Sequence, residues 1–390
     1  MIKKNLAGFG LAVTAFTLSA FTLSTASAQM LPAPTVAAKS YVLLDANSDQ
    51  ILASADPDLR IEPASLVKLM TAYLVFDALR DKKLDLNQMV TVSVNAWKID
   101  PSSSKMFIEP RKQVSVDNLL YGLIAVSGND AAVALAEAVA GTEDAFVVLM
   151  NREAQRMGMK ATSFSNSHGL PSSENYSSAR DFANLCDRLI SDFPEFYKKY
   201  YAVKKFTYNN ITQPNRNRLL WSDPTVDGMK TGHTSSAGFS LITSAHRPIP
   251  GGERRLIAVV IGTTSDQVRT QENQKLLNWG FQNFDEVKLY SKGQAIDNSD
   301  VYKGSQGKVK VGFTHDVYVT VPRGSADKIK SVLARNDPLI APIAQNSKVG
   351  TLKITVDGTA ITELPVVALE QIGQASIFGR AWDSLLLIFK

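Results

Sequence analysis

"PASLVKLMTAYLVF", residues 63–76, is an almost wholly apolar stretch broken only at Ser65, Lys68 and Thr71. Pro63 suits a helix start, and apolar residues continue from Leu66 to Phe76 before charge returns at Asp77, which predicts a helix buried nearly all round. Positions three apart lie side by side on a helix, so the three polar residues form one stripe, facing either the interior or a cleft. In both cases Lys68 is poorly solvated, and desolvation lowers a lysine pKa because it penalises the charged form. A shift of about 3 units, about 4 kcal/mol, makes a neutral amine available near pH 7. Such an amine, one turn from a serine hydroxyl, can take the proton as Oγ attacks a carbonyl, with no histidine needed. Ser65 also sits at the helix start, where free backbone N–H groups favour developing negative charge. The competing reading is a surface lysine that snorkels to water. Ser-x-x-Lys recurs at Ser102 and Lys105, Ser305 and Lys308, and Ser325 and Lys328, but in polar loop or turn contexts.

Upstream of this helix, "YVLLDANSDQILASA" (41–55) predicts a hairpin turning at Asn47–Asp49. Downstream, helix-period patterns run from Val116 to about Ile190, and "FANLCDRLI" places the one cysteine, Cys186, as a small core residue of an amphipathic helix. The β-type runs "FSLITSA" (239–245) and "RLIAVVIGTT" (255–264) follow, then a helical "QENQKLLNWGFQNF" (271–284). The order predicts an α/β (α+β) domain, an antiparallel sheet of hairpin-linked strands flanked by helices. After about Tyr290 the segments "KVKVGF", "DVYVTVPRG" and "TLKITVDGTAITEL" alternate apolar and polar residues between Arg-Gly and Asp-Gly turns, which predicts a small all-β domain.

The chain of 390 residues opens with Lys3 and Lys4, an apolar run from Leu6 to Leu23, and small residues at Ala26, Ser27 and Ala28. This pattern predicts an export signal over 1–28, cleaved after Ala28. Its removal takes the formal net charge from +5 to about +3, and no basic run with interleaved aromatics suggests a nucleic-acid partner. The expected organisation is 1–28 signal, 29–290 catalytic domain, 291–374 β-rich domain and 375–390 a C-terminal helix.

Two further motifs join Ser65 and Lys68. "AVSGNDAAVALAEAVAG" sets Ser127 and Asn129 directly before an alanine-rich helix, where they also read as N-capping residues. "VDGMKTGHTSSAGFSLITSA" contains the one Lys-Thr-Gly of the chain, at Lys230–Gly232, ahead of β-type sequence. Ser-x-x-Lys, Ser-x-Asn and Lys-Thr-Gly in this order are the set of the penicillin-recognising serine enzymes. With "SSKMF", "HGLPSSENYSSARD", "LLWSDPTVDGMKTGHT" and "KLLNWGF", the chain resembles the low-molecular-mass penicillin-binding proteins, serine-type D-alanyl-D-alanine carboxypeptidases with a β-rich second domain and an amphipathic membrane anchor.

The resemblance implies Ser65 as the acylated nucleophile, Lys68 as its base and Ser127 as a proton relay toward the leaving amine. Asn129 would bind the substrate amide, and Lys230 would hold the network around Ser127. Thr231 and Arg269 would bind the terminal carboxylate, the N–H groups of Ser65 and His233 would form the oxyanion hole, and the edge strand after Gly232 would pair with the peptide. The implied partners are peptidoglycan stem peptides and β-lactams, with no cofactor and no metal. The implied place is the outer face of the cytoplasmic membrane, in the periplasm. Alternatives are a serine DD-endopeptidase, a β-lactamase-like hydrolase and a non-catalytic penicillin-binding wall protein. The chain lacks the Glu-x-x-Leu-Asn of a class A β-lactamase. His168, His233, His246 and His315 lack the spacing of a zinc peptidase.

The C-terminal "QASIFGRAWDSLLLIFK" repeats Ile377, Phe378, Ala381, Trp382, Leu385, Leu386 and Phe389 at helical spacing. It is too short to span a bilayer and reads as an interfacial helix, with Arg380 and Lys390 near anionic lipid, or else as a core helix of the β domain.

Overall fold

The computed structural model describes residues 31–249 and 252–389, so the expected export segment and Lys390 lie outside the described residues. The predicted hairpin is β1 (Ser40–Asp45) and β2 (Gln50–Ala55), turning through Asp49 in the left-handed region at φ +56°. With β3 (Val226–Thr234), β4 (Gly238–Ile249) and β5 (Gly252–Thr263) it forms an antiparallel sheet in the order β2-β1-β5-β4-β3, which leaves β3 at an edge.

Strand periodicity decides what covers each face of this sheet. Val42, Leu44, Ile257, Val259 and Ile261 join the core formed with α1 (Lys68–Arg80), α2 (Val116–Ala125), α3 (Asn129–Ala140), α4 (Glu143–Arg156) and α5 (Ala179–Asp192). The alternate residues Tyr41, Leu43, Leu256, Ala258 and Val260 pack on Leu276, Leu277 and Phe281 of α6 (Asp266–Asn283). Gly280 lets α6 approach closely, since a Cβ there would lie 2.8 Å from side-chain carbons of Leu43 and Leu256. Cys186 is buried in α5, as its place in the apolar face predicts.

Helix α1 is central to the larger core. Ten of its thirteen residues are buried, and Phe76 lies 5.0 Å from Phe196, 5.7 Å from Phe193 and 5.9 Å from Tyr200, centroid to centroid. This packing fixes the helix that carries Lys68. Between Pro63 and Lys68 the chain makes a 3-10 turn, Ala64–Val67, so Ser65 stands in the tighter turn that leads into α1.

Helix α6 runs directly into a strand, Phe284–Tyr290, that pairs antiparallel with Val317–Pro322. A six-stranded sheet follows in the spatial order Ile329–Arg335, Lys348–Val356, Thr359–Ala368, Lys308–Gly312, Ala295–Tyr302, Leu339–Ile340, around a separate core that includes Val309, Val319, Ile354 and Val366.

Polar contacts join the two parts through the β1–β2 turn. Thr320 N donates to Gln50 Oε1 at 2.7 Å and Gln50 Nε2 returns a bond to Thr320 O at 3.1 Å, the reciprocal pattern of a strand pair. The buried Asp45 carboxylate accepts from Thr320 Oγ1 at 2.7 Å and from Arg254 Nε at 2.8 Å. Glu286 lies beside this pair, and burial together with the charge of Asp45 raises its pKa to about 7.

The chain ends in α7 (Ile377–Leu386), N-capped by Ser376. Asp383 accepts from the Lys303 N–H, which holds the helix against the β part, while Ile377, Phe378, Trp382, Leu385, Leu386 and Ile388 stay exposed. No helix among the described residues is long and apolar enough to cross a membrane.

Candidate active site

The polar stripe of α1 faces a loop and the start of a helix. Lys68 is buried, and its Nζ lies 3.0 Å from Ser65 Oγ, 2.6 Å from Asn129 Oδ1 and 2.5 Å from the His168 carbonyl oxygen. Thr71 completes the stripe by donating to the Ser167 carbonyl at 2.6 Å. The loop at 166–169 comes this near because Gly169 has φ +88°, and a Cβ on it would fall 1.9 Å from the Ala64 carbonyl oxygen.

A second buried lysine stands beside the first. Lys230, on β3, donates to Ser127 Oγ at 2.8 Å and to the Thr231 carbonyl at 2.8 Å. Gly232 brings β3 against the nucleophile turn: a Cβ there would lie 3.2 Å from the Pro63 carbonyl and 3.2 Å from Leu66 Cγ. His233 therefore follows directly past Ser65, its ring tilted 31° against that of Phe239 with centroids 4.0 Å apart. Ser65, Asn129, Ser102–Ser104, Gly169–Pro171, Arg216 and His233–Ser236 line a cleft of about 490 Å³. A larger cavity, about 550 Å³, lies at the far end of α1 among Arg80, Arg152 and Arg156 and holds none of these reactive groups.

Ala64 and Ser127 both adopt left-handed backbone, at φ +49° and +63°. Such conformations are uncommon for residues with a Cβ and cost of order 1–3 kcal/mol, so the surrounding packing imposes them.

Residues 25–265 match the family described as D-alanyl-D-alanine carboxypeptidase, and residues 284–374 match the C-terminal domain of penicillin-binding protein 5. The chain belongs to the D-alanyl-D-alanine carboxypeptidase family. It is 43% identical over 377 residues to the carboxypeptidase DacA of Haemophilus influenzae, covering 96% of this chain and 95% of that protein. It is 40% identical to DacA of Escherichia coli K12, covering 100% and 97%. The solved structure of penicillin-binding protein 5 from Haemophilus influenzae superposes with a TM-score of 0.83 at 43% identity, covering 88% of this chain and all of that one.

The electrostatics of the carboxypeptidase site follow from burying cations together. Burial lowers the Lys68 pKa to about 7, helped by the charge of Arg216 and opposed by Asp130. Burial also holds Lys230 well below the usual lysine range, with Lys68, Arg216 and Arg269 adding to the effect. A neutral amine has two N–H bonds and one lone pair. At Lys68 the two closest acceptors, Asn129 Oδ1 and the His168 carbonyl, take the N–H bonds, which leaves the lone pair for the Ser65 hydroxyl. Burial and the Lys68 charge push the His168 imidazole down to about 3, and its Nδ1 accepts from the Leu170 N–H, so the ring stays neutral.

Ser65, Asn129 and His233 thus line one cleft, Lys68 reaches it through its bonds to Ser65 and Asn129, and Ser127, Lys230, Thr231 and Gly232 lie next to these residues, Lys230 bonded to Ser127. The capping expectation for Ser127 and Asn129 is corrected: the N-cap of α3 is Gly128, without a side-chain bond, because both side chains are engaged by lysines. Arg269, 5% exposed, sits under β3 and donates from Nη1 to the carbonyls of Gly232 and Ser240, each at 3.1 Å.

Sequence reasoning missed Arg216, which lines the cleft with no hydrogen-bond or ion-pair partner among the described residues. It also missed Asp130, whose carboxylate accepts from the N–H groups of Met106, Phe107 and Ile108 and so fixes the loop at the cleft mouth. Adjacency to the Ser-x-Asn motif was the one signal for Asp130. Arg216 had none.

Proposed function

We propose that this protein removes the terminal D-alanine from peptidoglycan stem peptides ending in D-Ala-D-Ala, through an ester on Ser65, and that β-lactams acylate the same oxygen. The observation that carries the reading is the contact of a buried, readily neutral Lys68 amine with Ser65 Oγ at 3.0 Å. Ser65 Oγ bonds to the carbonyl carbon while its proton passes to Lys68 Nζ. The carbonyl oxygen gains charge against the N–H groups of Ser65 and His233. As the C–N bond breaks, the departing amine takes a proton through Ser127, which Lys230 supplies with a hydrogen bond. Water then opens the ester, releasing the shortened peptide and the serine.

Asn129 keeps its amide N–H₂ free for the substrate, since its Oδ1 is taken by Lys68. The exposed edge of β3 offers main-chain pairing to an extended peptide. Arg216, which lines the cleft, and Thr231 form the end that receives the terminal carboxylate, and Arg269 adds its charge from behind β3. In this reading residues 29–290 do the chemistry, 291–374 support them, and the strand Phe284–Tyr290 is the joint.

The exposed apolar row of α7 supports attachment to a membrane surface after export, with Trp382 at headgroup level. Incubating the purified protein with a pentapeptide-bearing muropeptide and weighing the products tests the central reading: loss of one alanine is expected. Cleavage within a cross-link alone, or no turnover by a protein that still binds penicillin covalently, would overturn it.

A further inference from the structure

Helix α6 begins with a charge arrangement whose acidic member the proposed mechanism does not use. Asp266 is its first residue, and its Oδ1 accepts from both Nε and Nη2 of Arg269, at 2.9 and 2.5 Å. Its Oδ2 lies 2.5 Å from Arg218 Nε. One carboxylate therefore serves two guanidiniums from distant parts of the chain.

Each guanidinium leads to the carboxylate end of the cleft by a short route. Arg269 has four of its five N–H bonds engaged: two by Asp266 and two by the carbonyls of Gly232 and Ser240, which are directly opposed across β3 and β4. It is a staple across that strand pair, next to Thr231 and His233. Arg218 lies two residues after Arg216, which lines the cleft without a hydrogen-bond or ion-pair partner among the described residues. Between them Asn217 is fully buried and donates to the Gly228 carbonyl at 2.9 Å. The segment Arg216–Arg218 is thus tied to β3 by Asn217 and to α6 by Arg218, while Asn215 just before it bonds to the carbonyls of Val203 and Lys204.

We propose that Asp266 is a positioning residue for the substrate carboxylate: it ties the segment bearing Arg216 and the Arg269 staple under Gly232 into one fixed frame. The inference rests on the carboxylate-binding end assigned above. Without the Asp266 charge, Arg218 and Arg269 repel each other, the fork of Arg269 loses its orientation, and the segment bearing Arg216 loses its tie to α6. Ser65, Lys68, Ser127 and Lys230 make no contact with Asp266, so the chemical step keeps its groups.

The test uses the full chain and two substrates, a peptide ending in a free D-alanine carboxylate and a thiolester of the same acyl group with an uncharged leaving group. For Asp266→Asn, KM on the carboxylate peptide is expected to rise about tenfold, with kcat within about twofold and the thiolester parameters unchanged. Arg218→Ala, at a side chain 66% exposed where folding is not at stake, should raise KM on the same substrate by a smaller factor. The double variant should be no worse than Asp266→Asn alone, because both changes break one link. Equal losses on the two substrates, an unchanged KM, or additive effects of the two changes would each overturn the proposal. Failure of the wild-type protein to turn over either substrate would instead overturn the function proposed above.

Discussion

The acylation rate should follow the protonation of Lys68. Its pKa falls from the ordinary 10.5 to about 7, chiefly because the amine is buried, a differential cost to the charged form of about 5 kcal/mol. An unperturbed amine would be neutral in about one molecule in 3,000 at pH 7, whereas this one is neutral in about half. Below pH 7 the second-order rate constant for acylation by a fluorescent penicillin, followed by stopped flow, should fall about tenfold per pH unit, reaching about one hundredth of its plateau at pH 5. Lys230 is buried alongside and contacts Ser127, so the measured value belongs to the pair of amines. Arg216 supplies a second handle. Its charge depresses both lysines, so Arg216→Gln should move the acid limb to higher pH, as well as weakening binding of the carboxylate. A profile flat from pH 5 to 8, or one that climbs only above pH 9, would refute the role of Lys68 as the proton acceptor. So would an acid limb unmoved by loss of the Arg216 charge.

Ser65→Ala should abolish both peptide hydrolysis and penicillin labelling, and Lys68→Arg should fail almost as completely because a guanidinium stays charged; labelling by either variant in mass spectrometry would contradict this. Gly169→Ala places a Cβ against the Ala64 carbonyl at a positive φ, so a melting curve and a labelling assay should show loss of both stability and acylation. Glu286→Gln tests the junction between the two parts. The Glu286 pKa is raised in the folded state, so its stabilising contribution is present at low pH and is lost as pH rises from about 4.5 through about 7. The variant should gain about 1 kcal/mol over wild type at pH 8 in urea unfolding, after allowance for partial solvent screening, with the gain vanishing near pH 4. Deleting residues from Ala375 onward should leave a folded enzyme active on small peptides that no longer sediments with vesicles; sedimentation of the shortened chain would count against α7 as the anchor.

How much of the site can be read from sequence depends on the distance over which it is assembled. Ser65 and Lys68 are legible because helix geometry alone places residues three apart on one face, and an apolar surround marks the face as buried. Lys230–Gly232 is legible through its strand context. For Ser127 and Asn129 the residue type and position are legible, but their orientation is not, since a cap and a ligand both call for a short polar side chain at a helix start. Arg216, Arg218 and Asp266 are illegible because their relation spans about 50 residues and exists only once the 216–218 segment folds against α6. The same holds between the two parts: the β pattern after Tyr290 is plain, whereas the bond pattern of Gln50 with Thr320 spans 270 residues.

That last pattern has a mechanical consequence. Opening the joint would part Asp45 from Thr320 and break the paired bonds of Gln50, at a spot where Arg254 and Asp45 are sealed from water and have little solvent to fall back on. The two parts therefore turn as one body. With α7 held to the same body through Asp383, the height of Ser65 above the C-terminal helix is a constant of the fold and does not vary as it would on a swinging tether. A chain attached to a surface by that helix works as a strut of set length. Peptides in a thin layer at that height come within its reach, and those nearer or farther do not.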